Sequence, residues 1–499
     1  MSISSSTFTS PLGPLRRGRH HIVNPQDPSV LSRTPTPFVL GPIDLLTLYF
    51  IPVATVLIYE PSSDGTPPFS LDRLHTAISY LLNYYPHLSG RFRIDTAAGK
   101  HVIDRHGTGA LLHEATIDVP LSSYTKAGVY SILDQPGAGN YLLAPYDSSL
   151  EALGRDPIFT VQYTRYACGG VALGIRCPHI VTDADGFFRL AGDLARIYRG
   201  LDGADKGKLP VSMEPCAKPY LAGWGDDEEL EEARRYRPKD FHIVDPPAPE
   251  PASTEPAPPA APPLPVLGRE LPFSSADLAE IKCRASDPDS PDKPISSFVA
   301  LCAWLHQQIY KARLILEAKS PSIHKIVTTD FLSPLNLRAA NRLPALPPNY
   351  FPNGVLTHYT TVPPTDLASA PLHRIAGHLQ AMMTTQAVVG VEAERTVKWL
   401  AAQLNLNLVT FGMKFGQGSC MISAWNKFDM YGEGAAQFKE GEKPVLVSPP
   451  FTPISLMDGL AYVLPPHPRG GKEGDGVVVY LSLLEAVWDV IEKEGLFGL

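Results

Sequence analysis

In the stretch Arg176-Cys177-Pro178-His179-Ile180-Val181-Thr182-Asp183-Ala184-Asp185-Gly186-Phe187, a histidine stands four residues before an aspartate, where a strand-forming run gives way to a helical one. Loops at strand ends are where rigid scaffolds present reactive groups. Imidazole has a pKa of about 6.5, so at neutral pH its neutral form takes a proton from a hydroxyl or an amine without a large shift. His179 is therefore the candidate general base. Asp183 has three readings: it orients the ring, it pairs with a distant arginine and fixes the turn, or, like Asp185, it caps the following helix. Spacing leaves all three open, and in a chain with fifteen histidines one such pair is a weak signal by itself.

No residue reads as a covalent nucleophile. There is no G-x-S-x-G elbow, and Ser419-Cys420, although preceded by Gly418, has no base near it in sequence. Where a base such as His179 serves direct attack on a carbonyl, the negative oxygen of the tetrahedral intermediate needs a donor. The Trp425 indole, the Ser423 hydroxyl and backbone amides are the candidates, although a large aromatic such as Trp425 more often packs a core. Metal and nucleotide chemistry find no support: H-E-x-x-H and clustered Cys/His spacings are absent, and the glycines of 412–418 and 470–476 lack the Lys-Ser/Thr ending of a phosphate loop. No bound cofactor is expected.

Elements on both sides of a central linker must position these residues. Pro-Pro-Ala-Pro-Glu-Pro and Pro-Ala-Pro-Pro-Ala-Ala-Pro-Pro-Leu-Pro, between Asp245 and Leu267, can build neither helix nor ladder and read as an extended connector. Before it, Asp72 to Tyr85 carries Leu74, Ala77, Ile78, Leu81 and Leu82 at helical spacing, and Pro86 stops it. Strands are expected at 141–144, 159–166 and 170–175, followed by a helix over 187–199 that Gly200 ends. Beyond the linker a helix spans 296–312, with strands at 325–330, 354–362, 419–424, 460–464 and 476–483. Strands and helices alternating in both halves give an α/β fold of two related domains. The expected boundaries are a flexible N-terminal tail at 1–37, a first domain at 38–238 that carries His179, a Pro-rich linker at 239–268 and a second domain at 269–499.

The 499 residues, 44% hydrophobic and 19% charged, suffice for two globular cores, and a net charge of -8 without a basic block argues against nucleic acid. The most apolar run, 45–59, is broken by Pro52 and falls short of the ~20 residues of a membrane-spanning helix. It reads as buried strand, and no membrane partner is expected. Six scattered cysteines without a C-x-x-C pair point to reduced thiols in a cytoplasmic setting.

The motif does not stand alone. Leu40-Gly41-Pro42-Ile43-Asp44 enters an apolar strand, and Tyr85-Pro86-His87-Leu88-Ser89-Gly90-Arg91 ends the first long helix. Asn336-Leu337-Arg338 is followed by Leu346-Pro347-Pro348-Asn349-Tyr350-Phe351-Pro352-Asn353-Gly354. Together with His179-x-x-x-Asp183 and the Arg199-Gly200 helix end, this order resembles the BAHD acyltransferases over roughly residues 40–499, the linker excepted. These enzymes transfer acyl groups from coenzyme A thioesters to alcohols and amines. Near the C-terminus the chain departs from the family's D-F-G-W-G: after Ser423-Ala424-Trp425 the best fit is Gln437-Phe438-Lys439-Glu440-Gly441 with Lys443-Pro444. That divergence, the linker and the N-terminal extension look more like the fungal, trichothecene 3-O-acetyltransferase-like branch than like the plant enzymes.

The resemblance implies two similar mixed-sheet domains of the chloramphenicol-acetyltransferase type with a channel between them, and His179 at its middle. It implies that Asp183 turns away from substrate to pair with Arg338, that Asn353 and Tyr350 line the channel, and that acyl-CoA is a cosubstrate. An acetyl group is the first expectation for the donor, and a small-molecule alcohol or amine of secondary metabolism for the acceptor, with the enzyme a monomer. Two alternatives stand beside it: a condensation-type enzyme using carrier-bound acyl groups, which usually has a second histidine where Pro178 stands here, and a non-catalytic binding protein on the same scaffold.

Overall fold

The computed structural model describes residues 15–498 apart from 96, 98, 127, 202–212, 246–262, 291, 339–341, 386–389, 433–435 and 469–475. The start of the expected N-terminal tail and the proline-dense part of the linker thus lie outside the described residues.

Two six-stranded mixed sheets organise the chain. The first runs Leu15–Val23, Ala110–Ile117, Thr160–Tyr166, Val171–Pro178, Pro52–Tyr59 and Leu446–Ser448 across its width. The second runs Val266–Ser274, Gly476–Leu484, Leu460–Leu464, Cys420–Ala424, Asp330–Asn336 and Val355–Thr361. Each sheet packs its own helices: Leu71–Tyr84 and Ala184–Gly200 on the first, Ser297–Lys319, Leu372–Thr385 and Glu485–Glu494 on the second, around separate apolar cores. The halves nevertheless exchange chain. Leu446, Val447 and Ser448 pair with Ile58, Leu57 and Val56, so the first sheet takes an edge strand from the second half. This crossover brings Trp425, Phe438 and Val445 into the first core.

The divergent segment 437–441 belongs to that crossover. Phe438 is buried, stacks on Phe69 at 4.8 Å and meets the edges of Tyr59 and Tyr198, while the Gln437 carbonyl accepts from Arg199 Nη1. Packing and a backbone carbonyl anchor this segment, and neither needs an aspartate side chain at 437.

Several elements differ from expectation for local reasons. Residues 15–23, within the expected loose tail, form an edge strand antiparallel to Ala110–Ile117. The apolar run 45–59 splits: Asp44–Leu46 is a 3-10 turn, and the strand begins at Pro52, the first strand position, where a missing N–H is tolerated. Residues 141–144 are not a strand; left-handed Gly137 and Gly139 turn the chain so that Leu142 crosses the sheet with its carbonyl against Gly174, where a Cβ would lie 2.0 Å away. The strand expected at 325–330 begins only at Asp330, because Ile326 and Val327 give their N–H groups to the Glu317 side chain and the Gln417 carbonyl. The helix from Ser297, capped by the Ser296 hydroxyl, continues to Lys319 because Arg313 and Leu316 are still buried against the second core.

Candidate active site

The strand Val171–Pro178 ends at His179, whose N–H donates to the Ile51 carbonyl at 2.8 Å on the neighbouring chain. Four residues on, Asp183 caps the helix Ala184–Gly200, its Oδ1 accepting from Gly186 N at 3.1 Å. The same carboxylate takes Arg338 at both oxygens, Nη1 to Oδ2 at 2.8 Å and Nη2 to Oδ1 at 3.0 Å, and accepts Gly354 N at 2.7 Å. Of its three sequence readings, capping and arginine pairing are both realised. Two glycines make this fit possible: a Cβ on Gly186 would lie 2.0 Å from the Phe351 carbonyl, and one on Gly354 would lie 2.9 Å from the Arg338 guanidinium.

The ring of His179 is oriented by Asn353 instead. His179 Nδ1 lies 3.1 Å from Asn353 Oδ1, and Asn353 Nδ2 donates to the His179 carbonyl and to Asp44 Oδ1, each at 2.8 Å. The His179 carbonyl only accepts, so the amide nitrogen must face it and the amide oxygen must face the ring. Nδ1 therefore carries the proton, and the lone pair sits on Nε2 of a half-buried imidazole. Asp44, itself buried, also receives Asn353 N and Gly41 N, each at 2.8 Å. Burial pushes the Asp44 carboxyl up to about 7, against the pull of these N–H donors.

The four residues expected to bind substrate, Asn353 and Tyr350 at the channel and Ser423 and Trp425 as oxyanion donors, stand in two groups. Asn353 and Tyr350 are buried and engaged with protein: the Tyr350 hydroxyl accepts from Tyr220 N, its carbonyl accepts from Arg338 Nε, and the guanidinium lies 5.4 Å from its ring. The sharp Pro352 turn commits their polar atoms to neighbours, so both support Arg338 and His179. Trp425 is buried among Phe188, Phe428 and Tyr462, and Ser423 is half-buried on Cys420–Ala424. Among the described residues, neither hydrogen-bonds to His179, Asn353 or Arg338. A cleft of about 790 Å3 opens between the halves beside this site, lined by Asp185, Arg189, Arg196 and Arg199 from one and Asn336 and Lys427 from the other. Asp185 bridges it, accepting from Arg189 and from Asn336 Nδ2.

Asp44 is the participant sequence reasoning passed over. Its signal was the Leu40-Gly41-Pro42-Ile43-Asp44 segment, a polar residue at the mouth of an apolar strand.

A family model described as the Transferase family matches residues 18–497. The chain belongs to this family, the BAHD acyltransferases. Hydroxycinnamoyl-CoA:piscidic acid hydroxycinnamoyltransferase of Actaea racemosa is 33% identical over 147 residues, a match spanning 29% of this chain and 31% of that relative. The crystal structure of vinorine synthase superposes with a TM-score of 0.64 at 17% identity, covering 97% of this chain and 98% of that one. TRI101 of F. graminearum, solved with coenzyme A and T-2 mycotoxin, gives 0.64 at 16% identity over 92% and 97%. The two-sheet α/β architecture of this BAHD chain is thus the fold of both. Among its described residues no helix is long and apolar enough to cross a membrane, and no three His, Cys, Asp or Glu side chains gather as metal ligands.

Proposed function

We propose that this BAHD acyltransferase moves an acyl group, acetyl first among the candidates, from an acyl-CoA thioester to a hydroxyl, or an amine, of a small secondary-metabolite acceptor, as a cytoplasmic monomer. The reading is carried by one observation: Asn353 fixes the His179 tautomer so that Nε2 bears the lone pair. In the proposed reaction Nε2 takes the acceptor proton as its oxygen attacks the thioester carbonyl. The tetrahedral intermediate then collapses, the C–S bond breaks, and the imidazolium returns the proton to the leaving thiolate. The products are the ester and free coenzyme A. Holding both substrates at one nitrogen replaces a bimolecular encounter with an intramolecular one. Each preorganised donor to the oxyanion contributes about 3 kcal/mol, and Ser423, Trp425 and backbone amides are the groups to test for that role. Asp183 and Arg338 act by holding the turn that carries His179.

The test is thiol release from a panel of acyl-CoA donors with pooled alcohols and amines. Acceptor-dependent release is expected, falling about 10²–10⁴-fold in a folded His179→Ala variant. Equal release from both proteins would remove His179 as the base.

A further inference from the structure

On the first sheet, one face carries a buried polar patch the reaction does not use. Arg176 pairs directly with Thr160, and His113 lies on the same face of the next strand, two residues beyond Leu111, the partner of Thr160. The three residues are 4%, 8% and 8% exposed. Arg176 Nε and Nη1, Thr160 Oγ1 and His113 Nε2 are all buried without a hydrogen-bond partner. These three residues line a single cavity of about 270 Å3, whose remaining wall is largely apolar, Phe92, Leu111 and Ile158 among it. Pro178 is also part of the lining, so the cavity comes within one residue of His179.

A buried guanidinium without a counter-ion is unusual, because the desolvation of the charge goes uncompensated. The ring of Tyr146 lies 4.8 Å from the Arg176 guanidinium. Burial lowers the Arg176 pKa to about 10. The two carboxylates in the lining are engaged elsewhere: Asp156 pairs with Arg155 at 2.8 Å, and Asp147 is solvent-exposed and accepts from Ser149 N. His113 is kept neutral by burial, and with its proton on Nε2 it becomes a donor. Thus a cation and two further polar side chains with unpartnered atoms border one cavity whose wall is otherwise largely apolar.

We propose that this cavity binds a small organic carboxylate, its oxygens against Arg176, Thr160 and His113 and its apolar body against Phe92, Leu111 and Ile158. Arginine forks match carboxylates with two parallel hydrogen bonds, and the volume admits a body of benzoate or butyrate size. The site is separate from the acyl-transfer centre, so its test does not depend on turnover.

Calorimetric titration of the full chain with benzoate and butyrate, and with the neutral isosteres benzamide and butanol, tests it. The carboxylates are expected to bind and the isosteres to bind at least tenfold more weakly. Arg176→Gln is expected to weaken benzoate at least tenfold, and Thr160→Val several-fold, which keeps the test decisive if the arginine variant does not fold. His179→Ala should leave benzoate binding unchanged. No binding at millimolar benzoate, equal binding of benzamide, or loss of binding in His179→Ala would each overturn the proposal, the last by locating the carboxylate in the catalytic site.

Discussion

Two buried arginines stand near the His179 turn, Arg176 by chain position and Arg338 through Asp183, and they are opposites. Arg338 reaches the site from the second half and is saturated: both Asp183 oxygens, the Tyr350 and Pro352 carbonyls and Asn336 Oδ1 accept from it. Arg176, three residues before the histidine, is buried to a similar degree and has an aromatic ring but no acceptor at Nε or Nη1. The contrast separates two uses of a buried charge. A guanidinium whose donors are all taken by protein fixes geometry, here the turn that carries the base. One left open within a cavity holds binding capacity in reserve, at a cost to the empty fold.

Removing each charge in turn would break the comparison if the two were alike. Arg338→Met strands the Asp183 carboxylate with only Gly186 N and Gly354 N, and is expected to destabilise the protein by about 3–5 kcal/mol. Denaturant unfolding measures this, and a loss below about 1 kcal/mol would mean that the pair is not structural. Arg176→Met removes an uncompensated charge and fills the same space with apolar surface. In buffer free of organic acids its stability is expected within about 1 kcal/mol of the parent, or above it. A loss as large as that of Arg338→Met would show that Arg176 has a structural partner after all.

What the sequence made legible follows the same division. His179, Asp183 and the helix behind them are neighbours in the chain, so a strand end, a cap and an amphipathic stripe announce them together. Arg338 was reached through family resemblance, because nothing in its own surroundings says which carboxylate, 155 residues away, it will meet. The Asp44–Asn353 contact spans 309 residues and joins two polar positions that each read locally as turn residues. The carboxylate cavity draws on several separate strands, and its polar residues stand in runs that otherwise read as ordinary buried strand. The edge strand Leu15–Val23 buries only its two end residues and exposes a basic middle, so it has no apolar alternation to detect. The crossover strand 446–448 is three residues long and is defined by its partner rather than by its composition.

Asp44 sharpens the comparison as a third case, a buried charge with hydrogen bonds but no counter-ion. Its carboxyl is raised to about 7 in the fold, against about 3.9 in an unfolded chain. Between those values the folded protein holds a proton that the unfolded chain has released. By linkage, the stability this group contributes is present in full below about pH 4 and is lost as pH rises through about 7. Asp44→Asn abolishes that titration. Its amide oxygen can still accept from Asn353, but its amide N–H turns toward Gly41 N–H, so the variant loses some stability at every pH without gaining a slope. Melting temperatures of the two proteins between pH 5 and pH 8 are therefore expected to converge as pH rises, the parent falling more steeply. Parallel curves would mean that the three N–H donors alone keep Asp44 ionised, and that hydrogen bonds without a counter-ion suffice to hold a buried charge beside the base.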